Sequence, residues 1–381
     1  MTVLIRRARV KDWEAIRGFI FEAYGKLACY KDYPRWDWQF VANPFRSLSE
    51  EVSVWIAEDE GRIVGQIAVQ PALIQIDGSE YPGGWIVDVM ILPAYRGRLL
   101  GHKLHAAVAS EFPLLVTLTM APAMRRIALK AGCVTLGPVQ QYTKFIRLSD
   151  GTFRRYLLGR TAHRPSFRRL SQIACAVFQL DRLGTTIMNA WSLINLNGFF
   201  RAKRSISATY AALEIAEVEA FGDELDRFWA KVRHEYPAIS TRDARFLNWR
   251  YVNVPDLNYR RFIARRAGQC IGYIVIRRTS VVELPAGVLV DFLTFRNDLE
   301  AVRFLIEHAA EIFGNEVDFL DCATSVAEIG AILEKFGFFR TRTERPTIVC
   351  RDPLLRRRIQ ALDRQWFFTK GDQDWDQIFI S

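Results

Sequence analysis

The period of the apolar residues changes along the chain, and the changes mark out elements. Val3–Arg9 alternates weakly and predicts a first strand. Behind Asp12, a residue suited to cap a helix, Trp13, Ile16, Phe19 and Ile20 recur at helical spacing. An aromatic segment, Trp36 to Pro44, follows. Val52–Ala57 and Ile63–Val69 read as strands joined by a hairpin turn at Glu58–Arg62. Leu73–Ile76 and Tyr81 flank Asp77-Gly78, a second hairpin. Trp85–Leu92 is an apolar run rich in β-branched residues, which predicts a mostly buried strand ended by Pro93. Leu100, Leu104, Ala107 and Val108 then fall on one helical face. Leu114–Thr119 predicts a strand, Ala123–Lys130 a short helix and Gln141–Leu148 a last strand. Hairpins followed by a strand–helix–strand unit define an α+β domain with a mixed, mostly antiparallel sheet flanked by helices.

The pattern then returns. Trp38-Gln-Phe-Val-Ala-Asn-Pro44 recurs as Trp249-Arg-Tyr-Val-Asn-Val-Pro255. Trp55-Ile-Ala57, Gly61 and Gly65 recur as Phe262-Ile-Ala264, Gly268 and Gly272. Val87-Asp88 recurs as Val290-Asp291, and Lys130-Ala-Gly132 as Lys335-Phe-Gly337. Asp12 and Asp223 each precede a helical pattern. The offsets lie between 203 and 211 residues, far too long for a solenoid. They predict two similar domains, residues 1–150 and 206–381, joined by a connector, residues 151–205.

Between Pro93 and the helix lies Tyr95-Arg96-Gly97-Arg98-Leu99-Leu100-Gly101. A helix start presents unpaired N–H groups and the positive end of its dipole, which together favour phosphate. Glycine allows close approach, and Arg96, Arg98 and Lys103 add positive charge. The same position in the second copy reads Asn297-Asp-Leu-Glu300, with two acids and no glycine. Catalysis is therefore expected in the first domain, with a structural or acceptor-shaping role for the second.

The strand, Pro93, the Tyr95-Arg-Gly97 loop and the helix resemble the acyl-CoA-binding motif of the GCN5-related N-acetyltransferases, the GNAT superfamily. In its Q/R-x-x-G-x-G/A pattern Arg96 fills the first position and Gly101 the last, with Leu99 where the middle glycine is usual. The resemblance covers the whole chain except the connector. It implies acetyl-CoA or another acyl-CoA as co-substrate, held by Met90, Ile91, Leu92, Arg96, Gly97, Arg98, Leu99, Leu100, Gly101 and His102. A backbone N–H near Met90 would polarise the thioester. The acceptor it implies is a small amine or an amino sugar. Asp88, on the central strand, is the candidate base, with a structural role as its alternative. Ala128 stands where the family often carries an acidic tyrosine, so Tyr142 on the last strand is the candidate substitute. Tyr33 and Trp36 are candidates to contact the acceptor, while Trp38, retained in the repeat, reads as core. Two alternatives remain: an N-acyltransferase using an acyl carrier protein as donor, and a non-catalytic binding module.

Charge adds one feature. The chain carries a net charge of +10, yet residues 147–204 hold eleven Arg or Lys against two acids. The rest is nearly neutral, and no nucleic-acid-binding motif appears. The connector also holds an apolar stretch, Leu170–Phe200, interrupted by polar residues and unconvincing as a membrane span. It is expected to clamp the domains, or else to meet an anionic membrane surface or an acyl carrier protein. The six cysteines have no C-x-x-C spacing and the five histidines no H-E-x-x-H pattern, so no metal site is expected. No apolar leader opens the sequence, which suggests a cytoplasmic protein, in contact at most with the inner face of the membrane.

Overall fold

The computed structural model describes residues 3–25, 28, 31–47, 49–146, 212–281 and 284–377, with 154–155, 158, 169–173, 175 and 182–187 in the connector. The expectation that the connector clamps the domains falls largely outside these residues.

The first repeat builds β1 (Leu4–Arg9), α1 (Trp13–Tyr24), α2 (Tyr33–Phe40), β2 (Glu51–Asp59), β3 (Arg62–Ile76) and β4 (Ser79–Ile91). It continues through α3 (Leu100–Glu111), β5 (Leu114–Thr117), α4 (Pro122–Lys130), β6 (Val134–Thr135) and β7 (Val139–Phe145). The second begins with β8 (Leu213–Glu217), α5 (Asp223–Val232), β9 (Ala238–Ser240), α6 (Ala244–Tyr251), β10 (Arg260–Arg266), β11 (Gln269–Val281) and β12 (Leu284–Thr294). It ends with α7 (Leu299–Phe313), β13 (Phe319–Thr324), α8 (Ala327–Lys335), β14 (Phe339–Glu344), β15 (Thr347–Cys350), α9 (Pro353–Ala361) and β16 (Trp366–Phe367).

Two sheets result, and they trade strands. The first runs β1-β2-β3-β4-β5-β15-β6, the second β14-β7-β13-β12-β11-β10-β8. Thus β7, at the end of the first repeat, lies between β13 and β14 of the second sheet, with Cys322↔Tyr142 and Arg340↔Tyr142 in register. In return β15 lies between β5 and β6, with Ile348↔Val116 and Ile348↔Val134. The expected domain limit at residue 150 therefore places β7 on the wrong side of the hydrogen bonding. Each sheet is antiparallel along its central path except at one parallel pair, β4/β5 or β12/β13.

The repeats also meet face to face. Trp38 on α2 and Trp249 on α6 stack with centroids 4.7 Å apart. Each indole N–H donates to the other's backbone carbonyl, at 2.7 and 2.9 Å. Burial removes water from both indoles, so each needs a partner, and the repeat supplies it.

Three local expectations change. Leu73–Ile76 is not a separate strand but the end of β3, which runs through Pro71. Proline is tolerated there because its polar edge faces away from β4, with its carbonyl accepting from Asn43 at 3.2 Å, into the gap between β2, which pairs only as far as Ala68, and β9, which begins at Ile74. Asp12 precedes α1 but does not cap it. Its carboxylate instead accepts from Arg6 at 2.7 Å and from the Arg9 N–H at 2.8 Å. Asp223 is the first residue of α5 rather than the residue before it.

Candidate active site

The site forms where β4 leaves β5. The parallel pairing of these strands stops at Trp85↔Val116. On its other side β4 slips register against β3 between Val87 and Met90, and Asp88 within this bulge has φ +52°. A non-glycine residue in left-handed backbone is strained, and such strain commonly persists where it aims a side chain. From the bulge onward Asp88, Val89, Met90 and Ile91 are half-buried. The strands have separated here and left an open split.

The mouth of the split is the start of α3. Gly97 has φ +80°, and Leu99, the residue before the helix, has φ +59° and ψ +9°. Leu99 thus adopts the left-handed turn usual for the glycine it replaces, with its side chain 66% exposed. No side chain caps the helix. The first-turn N–H groups of Leu100, Gly101 and His102 and the dipole meet Arg96, Arg98 and Lys103, all exposed. Arg96 Nε donates to the Ile91 carbonyl at 3.1 Å, which folds the loop back onto β4. Arg98 lies over the Tyr95 ring, and Tyr95 donates to Asp59 at 2.8 Å. Gly101 has a packing reason: a Cβ there would come within 2.9 Å of Ile127 on α4. Leu92 is less suited to hold a ligand, because it is buried and its N–H donates to Val64.

Asp88 points toward the end of α1 and the loop before α2. Its carboxylate pairs with Lys31 and accepts from the Tyr24 hydroxyl at 3.5 Å. Lys31 also lies over the Tyr24 ring. A second carboxylate, Asp374, is buried beside them. Burial pushes the Asp374 carboxyl up to about 6, with Lys31 lowering it and Asp88 raising it. Lys31 is also one wall of a cleft of about 500 Å³ lined by Trp13, Glu14, Phe21 and Tyr33. Lys31 thus links this cleft to Asp88 on β4.

Asp374 arrives on the C-terminal segment, residues 366–377, whose role the sequence did not disclose. Gln373 closes the base of the first split. Its amide oxygen accepts from Leu118 N–H (2.8 Å) and Thr119 N–H (3.0 Å), and its nitrogen donates to the Ile86 carbonyl (2.8 Å). Asp376 pairs with buried Arg250 at 2.5 Å and accepts from Tyr259 at 2.5 Å.

The residues singled out in the sequence divide. Asp88, Met90 and Ile91 follow one another on β4, and the Arg96–His102 turn folds back onto that strand through Arg96 and Ile91. Tyr33 lines the cleft, but Trp36 is buried between Trp13 and Phe40, with centroids at 5.2 and 6.0 Å. Tyr142 does not join Asp88. Strand exchange carries it into the second sheet, where its hydroxyl lies 2.1 Å from the position a Gly330 Cβ would take. Lys31, Gln373 and Asp374 went unread in the sequence. Their partners lie far away along the chain, as with Lys31 and Asp88 (57 residues) or Gln373 and Ile86 (287 residues). Among the described residues no three His, Cys, Asp or Glu side chains gather as a metal would require.

Residues 5–113 match the family model of the acetyltransferase (GNAT) domain. No curated protein matches the sequence. Solved structures do match in fold. A GCN5-related N-acetyltransferase from Anabaena variabilis is 14% identical, with TM-score 0.57 over 91% of this chain and 72% of that one. One from Kribbella flavida is 11% identical, with TM-score 0.55 over 91% and 70%. The Saccharomyces cerevisiae N-myristoyltransferase with bound myristoyl-CoA is 9% identical, with TM-score 0.51 over 91% and 79%. Residues 5–113 thus carry a GNAT domain, and the chain as a whole has the fold of the GNAT acyltransferases.

Proposed function

We propose that the first domain transfers an acyl group, acetyl in our reading, from acyl-CoA to the amine of a small molecule or amino sugar. The observation that carries this reading is the open β4/β5 split running into an uncapped, basic helix start. An extended thioester arm suits the half-buried backbone of Val89–Ile91, and a pyrophosphate suits the Arg96–His102 turn. The cleft beside Lys31 suits the acceptor: Phe21 and Tyr33 offer partly exposed rings against which a cationic amine can lie.

In the reaction the amine nitrogen attacks the thioester carbonyl, the C–S bond breaks, and the sulfur leaves as a thiolate that takes a proton from water. The amine must lose a proton. Asp88, aimed by its strained bulge and held by Lys31, is the group assigned to receive it. A backbone N–H near Met90 stabilises the developing oxyanion. Tyr142 has no part in this scheme.

The test is thermal stability with acetyl-CoA, repeated on Arg96→Glu. Ligand at about a hundred times its Kd adds about 2.7 kcal/mol. The expected result is a raised midpoint that the variant loses. Stabilisation without turnover of any amine would favour the binding-module reading, to which the strained Leu99 gives some support. No stabilisation at all would sink both.

A further inference from the structure

Gln373 stands where a backbone partner would stand in a continuous sheet. The last paired residues of β4 and β5 are Trp85 and Val116. The groups that follow them, the Ile86 carbonyl and the N–H groups of Leu118 and Thr119, are each bonded to the Gln373 amide, at 2.8, 2.8 and 3.0 Å. A direct bond would bring such a nitrogen and oxygen to about 2.9 Å. With an amide between them the strands cannot close there. The groups are nonetheless partnered, as buried backbone must be. Gln373 is 6% exposed and has φ +61°. Left-handed backbone is strained for a glutamine and persists only where the surroundings enforce it.

What enforces it is the second repeat. Arg250 on α6, itself buried, donates to the carbonyls of Gln373 at 3.0 Å and Gly371 at 3.2 Å, and to the Asp376 carboxylate. Arg242, buried between β9 and α6, pairs with Asp372 at 2.8 Å. The Asp372 carboxylate also accepts from the Thr369 N–H at 2.9 Å. Gly371 fits tightly, because a Cβ there would come within 2.0 Å of the Tyr251 hydroxyl. The residues on both sides of Gln373 are thus fixed to one repeat, while its side chain reaches into the other. We infer that the second repeat sets the donor slot of the first: its two arginines hold the C-terminal turn, and Gln373 on that turn keeps β4 and β5 apart so that an acyl-CoA arm can enter. Gln373 is a positioning residue in this scheme, acting on the arm through the strands it separates. The inference rests on the donor reading proposed above, and it gives the repeat that lacks a basic helix start a part in the reaction.

The test compares the full chain with Gln373→Leu, which keeps the bulk and loses all three bonds. Hydrogen exchange without ligand should show the Leu118 and Thr119 amides exchanging about tenfold faster in the variant. Calorimetry with acetyl-CoA, well below the unfolding midpoint, should show about tenfold weaker binding. A residue that served stability alone would lower the midpoint and leave the affinity of the folded chain unchanged. Arg250→Lys keeps a cation for Asp376 but loses the planar fork that spans it and the two carbonyls, and should weaken acetyl-CoA binding in the same direction. If Gln373→Leu does not fold, Gln373→Glu takes its place, since it retains the acceptor for Leu118 and Thr119 and loses the donor to Ile86. Two results would overturn the inference: unchanged exchange at Leu118 and Thr119, or acetyl-CoA binding by both variants equal to that of the wild type. A wild-type chain that binds no acetyl-CoA would instead sink the donor reading, and this inference with it.

Discussion

The two repeats share a fold and differ in what fills the split beside the bulged central strand. In the first, β4 beyond Asp88 is half-buried, and Gln373 bridges the strands at the base. In the second, pairing between β12 and β13 likewise stops, at Leu289↔Cys322, but Asp291–Thr294 are fully buried. The chain's own C-terminal segment lies there. Phe368 exchanges hydrogen bonds with Ser325, Thr369 bridges to Thr324, and the Thr369 hydroxyl donates to Asp291 at 2.8 Å. Asp291 also accepts from Tyr251, Tyr273 and Arg242. The helix starts differ in the same sense. Asp298 caps α7 by accepting from Ala301 N–H at 3.0 Å, and Arg266 pairs with both Asp298 and Glu300. The second site thus supplies from its own chain the segment in the split and the anion at the helix start that the first leaves to a ligand. A duplicated fold can keep its architecture while one copy spends its binding groups on stability.

This comparison can be broken most forcefully at the C-terminal segment. Asp376→Ala leaves Arg250 buried and unpaired, at a cost of about 3–5 kcal/mol. Chemical denaturation should show that loss, and a surface-sized effect would mean the segment is not held as described. Asp298→Ala removes a cap and should cost about 1 kcal/mol. It should create no acyl-CoA site, because the neighbouring split stays filled; a second site detected by calorimetry would contradict the contrast. Leu99→Gly should stabilise the first domain by about 0.5–1 kcal/mol and leave ligand binding intact. Destabilisation would show that the Leu99 side chain has a packing role.

Asp374 sharpens the contrast through pH. Its carboxyl is raised in the folded chain, so between the ordinary carboxylate range and about 6 the folded state binds more protons than the unfolded one. Stability from this group is present below that window and is lost as pH rises through it. Asp374→Asn should flatten that slope in unfolding measured from pH 4 to 7. An unchanged slope would place the titration elsewhere.

The sequence disclosed much of the fold because hairpins and amphipathic helices are local. The two aromatic helices, Tyr33–Phe40 and Ala244–Tyr251, sit 211 residues apart, and the Trp38–Trp249 pair in their midst explains why the repeat kept both. The exchange of β7 and β15 was not legible, since a strand's alternation states which face is buried but not which neighbour it joins. Tyr142 was misplaced for that reason. In the candidate site, the α3 turn could be read because glycine, arginine and a helix start are contiguous. Lys31 and Asp374 could not, because tertiary packing alone brings them to Asp88.

The most direct measurement is calorimetric titration of the intact chain with acetyl-CoA, read for stoichiometry and repeated on Arg96→Glu. The account expects one site per chain, lost in the variant. Two sites, or one site indifferent to Arg96, would contradict the assignment of the donor to the first split.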